Sequence, residues 1–418
     1  MVERRIASLP SMAAATGIDE RPLHIGYYSP ALPDSGISNG IVTYTRIMRD
    51  ALRRLGHAVT IVTTTHIEHA DGRIERLPAP NRMARNVALA LERLRPGDGS
   101  DAWVRFHVLA AFKAARRCGI DVFEIEESHG WAGRLARLGV PIVERLHGPH
   151  VFGREPQETS REERIGDLRE AAELKSFAIV EAVTSPSKDM LGEIVNRYGL
   201  DLRLSRAIPN PMPIGDNLWD VNCADPNQIL CVGRFDLRKG ADLVVKAFAE
   251  ASQIRPLKLV MVGPDSGLNS KTGERWHFEE FVRQEFSPAA RSSIHFMGPL
   301  PPDRIAQLRL ESALSIVGSR FESFSYSIAE AMAVGMPVLT SATFGGKEMI
   351  HDGIEGRVVP IGDISAMRDA MLDMMSRPAR LREMGRAGLD RVRTWLSPER
   401  VARVTVNLYR DAISLSQD

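Results

Sequence analysis

Short apolar runs alternate along this chain with longer stretches whose apolar residues recur every three or four positions. Residues 23–28 form the first run, and Tyr44, Ile47, Met48, Ala51, Leu52 and Leu55 then share one helical face before Gly56 stops it. A second run at 58–63 follows at once. Strand, helix and strand in that order make a β-α-β unit and predict a parallel sheet. Further strands are expected at 122–125, 141–146 and 179–184, which gives a doubly wound half over residues 22–208. The proline-rich stretch 208–215 and the polar residues after it read as a linker over 209–227. A second alternating half covers 228–396, with strands expected at 228–232, 257–262, 294–297, 314–317 and 337–340. Residues 397–418 read as a closing helix, with Ser397 as cap and Pro398 in its first turn. Residues 1–21 read as a loose tail.

Length and composition refine that outline. A chain of 418 residues exceeds one comfortable core, so two domains are expected. Hydrophobic residues are 44% and charged ones 26%, the balance of a globular protein, and no apolar run approaches the roughly 20 residues that span a bilayer. The start has Arg4 and Arg5 but no long apolar core after them, which argues against a secretory signal. Cys118, Cys223 and Cys231 are widely spaced, so neither a disulfide framework nor a zinc site is expected, and the cytoplasm is the expected compartment. A net charge of +1 excludes bulk nucleic-acid binding. Charge is uneven, however: residues 81–117 carry eight basic side chains against three acidic ones. That excess fits either solvated helices or a peripheral contact with an anionic inner-membrane surface.

The candidate chemistry concentrates in the second half. Glu322 and Glu330 stand eight positions apart around a loop-to-helix junction, the helix being expected over 325–334 with Gly335 and Pro337 as its stop. Backbone N–H groups near Phe324 and Ser325 would meet the positive end of the helix dipole, a ready anion site. Glu330 is suited to accept from vicinal hydroxyls such as those of a ribose, and Glu322 to do the same for a sugar or to stabilise positive charge. Upstream, Gly233-Arg234 follows a strand and Lys239-Gly240 opens a helix, where a diphosphate belongs. In the first half, the glycine-bearing loop 33–40 joins the first strand to the first helix, and His147 ends a strand at its carboxyl edge. Read alone, the loop is an ordinary turn and His147 a strand cap as readily as ligand contacts. His129, with Glu126 and Glu127 beside it, ends the preceding strand and is a candidate for acceptor binding together with Glu127. The pairs His66/His69 and His147/His150 lack an evident third ligand, so no metal site is expected.

From Pro22 to about Leu415 the chain resembles the retaining glycosyltransferases of family GT4, whose GT-B fold is α/β with two Rossmann-like doubly wound domains facing a central cleft. The resemblance rests on the segment from Arg320 to Ser341, an E-x7-E region, and on the strand, Gly-Arg and Lys-Gly pattern of 229–248. It implies a donor site formed by Asn39, Gly40, Gly233, Arg234, Lys239, Gly263, Leu300, Glu322, Phe324, Ser325 and Glu330. Catalysis would fall to His147, Arg234, Lys239 and Glu322. The closing helix would cross back onto the N-terminal domain. No cofactor is implied beyond the donor substrate, a nucleoside diphosphate sugar. The expected acceptor is a saccharide or lipid-linked saccharide hydroxyl in cell-surface polysaccharide or glycolipid assembly, with a small-molecule acceptor or a non-catalytic nucleotide-sugar-binding subunit as alternatives. The chain departs from the family's usual glycines at Asn39, Ser325 and Phe344.

Overall fold

The computed structural model describes residues 21–37, 39–78, 83, 86, 90, 108–109, 111–113, 115–136, 139–153, 160–269 and 274–417. Most of the basic segment 81–117 and nearly all of the tail 1–21 lie outside them. The chain divides into two compact units, residues 1–211 with 398–418, and residues 212–397.

Unit 1 holds an eight-stranded sheet among the described residues, in the order β4-β3-β2-β1-β5-β6-β7-β8. Its strands are β1 (His24–Tyr28), β2 (Ala58–Val62), β3 (His66–Glu68), β4 (Ile74–Arg76), β5 (Val122–Glu126), β6 (Ile142–Arg145), β7 (Ala182–Ser185) and β8 (Ser205–Ala207). All pairings from β2 through β8 are parallel, as the β-α-β pattern predicts. The hairpin β3-β4 adds an antiparallel edge next to β2 that the apolar pattern did not announce, because each strand has three residues and β4 is wholly exposed. Helix α1 (Gly40–Arg54) buries Val42, Tyr44, Ile47, Met48, Ala51 and Leu52. Helices α2 (Ser160–Phe177) and α3 (Lys188–Tyr198) precede β7 and β8.

Unit 2 repeats the plan with a six-stranded sheet in the order β13-β10-β9-β14-β15-β16. Its strands are β9 (Asp225–Val232), β10 (Lys258–Val262), β13 (Ile294–Phe296), β14 (Ser312–Val317), β15 (Val338–Ser341) and β16 (Gly356–Val359), with a two-residue pair β11 (Leu268–Asn269) and β12 (Arg275–Trp276) set apart. All six are parallel. Helices α4 (Ala241–Ser252), α5 (Tyr326–Ala333), α6 (Phe344–Met349), α7 (Ile364–Met375) and α8 (Pro378–Arg391) accompany the sheet. Strands β10, β14 and β15 are mostly or wholly buried, and β9 is buried from Gln228 to Cys231, the pattern of a sheet covered on both faces.

The stretch expected as a linker is largely part of unit 2. Met212 N–H donates to Leu396, Gly215 N–H to Ala333 and Trp219 N–H to Val334, while the Trp219 indole donates to the Ser312 carbonyl at 2.8 Å. Buried Trp219 and Met212 explain why: both bury against the core of unit 2, although the prolines and polar residues around them suggest a free connector. Helix α9 (Pro398–Leu415) belongs to unit 1. It packs on α1, and its buried Tyr409 hydroxyl donates to Glu124 at 2.8 Å and lies 2.6 Å from the Tyr27 hydroxyl.

Candidate active site

In unit 2 the carboxyl ends of β9, β10 and β13 are tied together by their glycines. Gly233 N–H donates to Val262, and Gly263 N–H donates to Gly298. A Cβ on Gly263, whose φ is +148°, would lie 2.1 Å from the Gly233 carbonyl oxygen, so backbone passes where a side chain would be. The turn that follows carries the cations. Arg234 is half exposed and pairs with Asp236 at 3.0 Å. Asp236 also accepts from Lys239 N–H at 2.7 Å, which folds the turn back on itself. Gly240 then enters α4 with φ +62°, and a Cβ there would stand 1.9 Å from the Gly318 carbonyl oxygen.

That close approach brings the end of β14 against the start of α4, and with it the first carboxylate of the E-x7-E region. Lys239 Nζ lies 2.6 Å from Glu322 Oε1, which also accepts from Ser319 Oγ at 2.8 Å. Arg320 holds the same junction with two bonds to Asp242, at 2.6 and 2.7 Å. A pocket is lined by Gly233, Arg234, Lys239, Ser319, Glu322 and Ser327. Four residues singled out from sequence therefore converge across 90 positions of chain. Ser319, Arg320 and Ser327 were not given a role, although Arg320 and Ser327 lie within the E-x7-E region and Ser319 adjoins it.

Unit 2 also holds the donor candidates Phe324, Ser325, Glu330 and Leu300. Ser325 is the N-cap of α5 in extended conformation, buried, and its hydroxyl makes no capping bond. Phe324 is buried beside it, and Gly345 presses so closely that an added Cβ would lie 2.9 Å from Phe324 Cα. Glu330 lies within α5 and forms a short ion pair with buried Arg309. No pattern along the chain marks that partner, which lies 21 positions upstream on another helix. Leu300 packs against the core just past Gly298.

In unit 1, Asn39 caps α1: its Oδ1 accepts from Ile41 N–H at 2.8 Å, with Gly40 as first helical residue. Here the asparagine in place of a glycine has a local structural use. Asp34 in the preceding loop pairs with Arg49 at 2.8 Å, and Arg49 in turn with buried Glu68.

His147 follows β6 and stands edge-on to Tyr44, ring centroids 5.3 Å apart, with the Arg145 guanidinium 4.3 Å over the other ring of that pair. Burial and, secondarily, Arg145 lower the His147 pKa well below its usual value, so the imidazole is neutral. Glu127, expected to meet an acceptor, spends both carboxylate oxygens on backbone: Oε2 accepts from His147 N–H at 2.8 Å and Oε1 from Gly148 N–H at 2.6 Å. Glu173 Oε2 accepts from His150 N–H at 2.9 Å. Burial and neighbouring Glu126 push Glu127 up to about 7, and burial and Glu127 push Glu173 up to about 8. His129 adopts φ +58° and stacks on Trp131 at 5.1 Å. Among the described residues no three His, Cys, Asp or Glu side chains converge as a metal site, and no helix is long and apolar enough to cross a membrane.

Comparison with known proteins agrees with the fold of both units. The family model for glycosyl transferases group 1 matches residues 220–391, and that for glycosyltransferase family 4 matches residues 38–214. A D-inositol 3-phosphate glycosyltransferase from Acidothermus cellulolyticus is 24% identical over 372 residues, covering 84% of this chain and 79% of that one. Among solved structures, sucrose-phosphate synthase from Thermosynechococcus elongatus superposes with a TM-score of 0.73 at 21% identity, covering 94% of this chain and 99% of that one. The Anabaena protein HepE in complex with UDP-glucose gives 0.61 at 15% identity, covering 93% and 99%. With two family models spanning both units and a GT-B fold shared with these structures, the chain belongs to the family 4 glycosyltransferases.

Proposed function

We propose that this protein moves a hexose-type sugar from a nucleoside diphosphate sugar to a hydroxyl acceptor with retention of anomeric configuration and without a metal ion. The observation that carries the reading is the unit 2 pocket, where Gly233, Arg234, Lys239 and Glu322 meet beside the start of α5. A departing nucleoside diphosphate develops negative charge, and one guanidinium with one ammonium five positions on offsets it. Asp236 and Glu322 anchor the two cations, so neither has to be ordered during the reaction. No side-chain nucleophile is assigned. In this reading the leaving phosphate takes the acceptor's proton, in a dissociative path on one face of the sugar. Glu330, oriented by Arg309, is the proposed ribose holder, and neutral His147 the proposed contact to the transferred sugar.

For the acceptor we favour a small phosphorylated polyol, the class that the relatives' name gives, over the lipid-linked saccharide expected from the sequence. The lipid-linked reading and a peripheral membrane contact keep only the basic stretch 81–117 in their support.

The test supplies a panel of nucleotide sugars with D-inositol 3-phosphate or a lipid-linked saccharide, and follows nucleoside diphosphate release and the anomeric signal of the product by proton NMR. The reading expects release that depends on the phosphorylated polyol, a product anomer matching the donor, and full turnover in the presence of EDTA. An inverted anomer, or loss of turnover with EDTA, contradicts it.

A further inference from the structure

The opposite edge of the unit 1 sheet carries a side-chain cluster that glycosyl transfer does not use. Residues 29–37 and 147–149 follow the carboxyl ends of β1 and β6, whereas His24 opens β1 and residues 116–118 precede β5. At that amino edge the β3-β4 hairpin turns back, and a cavity of about 560 Å³ opens there, lined by His69, Arg73, Glu75, Arg117 and Cys118 among others.

Three of these residues form a chain. Cys118 Sγ lies 3.6 Å from His69 Nδ1, and His69 Nε2 lies 2.9 Å from Glu75 Oε2. A carboxylate can only accept, so the Nε2–H donates to Glu75 and Nδ1 turns its lone pair to the thiol. This is the arrangement in which a neighbouring base activates a cysteine nucleophile. Burial and then Glu75 push the thiol up, so it rests neutral and gives up its proton only as it attacks. Arg117 has no charged partner among the described residues, and Arg73 reaches Glu75 only at 3.7 Å. Both guanidiniums suit a reagent bearing carboxylates. The other two thiols differ: Cys223 is exposed, and Cys231 is buried and pushed up to about 12.

We propose that Cys118 is a modification site, in which His69 as base and Glu75 as its orienting partner drive exchange with small disulfides that carry carboxylates. The thiol proton passes to His69 Nδ1 and the sulfur attacks one disulfide sulfur. A new S–S bond to Cys118 forms, the old one breaks, and the leaving thiolate takes the proton from His69.

Glutathione disulfide is the probe, applied to the full chain in a Cys223→Ser background and read by intact mass and peptide mapping over time. One adduct per chain is expected, on Cys118, and none in Cys118→Ser. His69→Asn should slow its formation at least roughly tenfold, by the contribution of a general base. Glu75→Gln should slow it less, and Arg117→Ala should narrow the preference for glutathione disulfide over the cationic disulfide cystamine. Nucleoside diphosphate release by each variant reports whether the chain is folded. Equal rates in His69→Asn, or an adduct that forms only after unfolding in urea, would overturn the proposal.

Discussion

Lys239 and Gly240 stand side by side and answer to different demands. Lys239 carries charge to the pocket, held by Glu322. Replacing it, or Arg234, by Ala should lower turnover by roughly 10²- to 10³-fold, as for a lost transition-state donor. Nucleoside diphosphate release at saturating donor checks this, and unchanged turnover in both variants would remove the role. Gly240 carries geometry, with φ +62° and the Gly318 carbonyl where a Cβ would go. Gly240→Ala should destabilise unit 2 by about 1–3 kcal/mol from backbone strain alone, measured as a lower urea midpoint. At this scale the sequence disclosed the residues and withheld their partners. Charge and spacing marked Arg234, Lys239, Glu322 and Glu330. Arg309 and Ser319 were hidden, because an ion pair between two helices leaves no periodic trace, and a lone serine before a glutamate is common.

Helix α1 shows a residue whose reading changes once its element is known. Asn39 stands where the family usually carries a glycine, and its side chain caps α1. Asn39→Ala should cost about 1 kcal/mol of stability, as for other caps, while donor affinity by calorimetry stays within about twofold, roughly 0.4 kcal/mol on the affinity scale. A large loss of affinity with unchanged melting would restore Asn39 to the donor site. The long amphipathic helices and the buried strands β1, β2, β9, β10 and β14 were legible because their periods are strong. The strands β3, β4 and β8 were not: three residues are too few to show alternation, and β8 carries Ser205 and Arg206. The segment 209–227 misled for another reason. Prolines advertise a connector, while Met212 and Trp219 quietly bury against unit 2.

At the scale of the whole molecule, the buried acids of unit 1 link folding to pH. In the folded chain Glu127 and Glu173 keep their protons up to about 7 and about 8, whereas in an unfolded chain a glutamate releases its own near 4.3. The folded state then binds more protons across that interval, so stability falls as pH rises through it. Melting temperature should drop between about pH 5 and pH 9, and Glu173→Gln should flatten the drop. A curve that rises with pH in the wild type would contradict the burial of these groups. Both unit folds follow from strand and helix alternation, and the division into two halves was readable from length and the proline-rich join. Calorimetric titration with a panel of nucleoside diphosphates, on the wild type and on Lys239→Ala, bears most directly on the central claim that unit 2 holds the donor's diphosphate. The account predicts that one nucleoside diphosphate binds without added metal and that Lys239→Ala weakens it at least roughly tenfold, about 1.4 kcal/mol. Equal affinity in the two proteins, or no binding by any member of the panel, would contradict it.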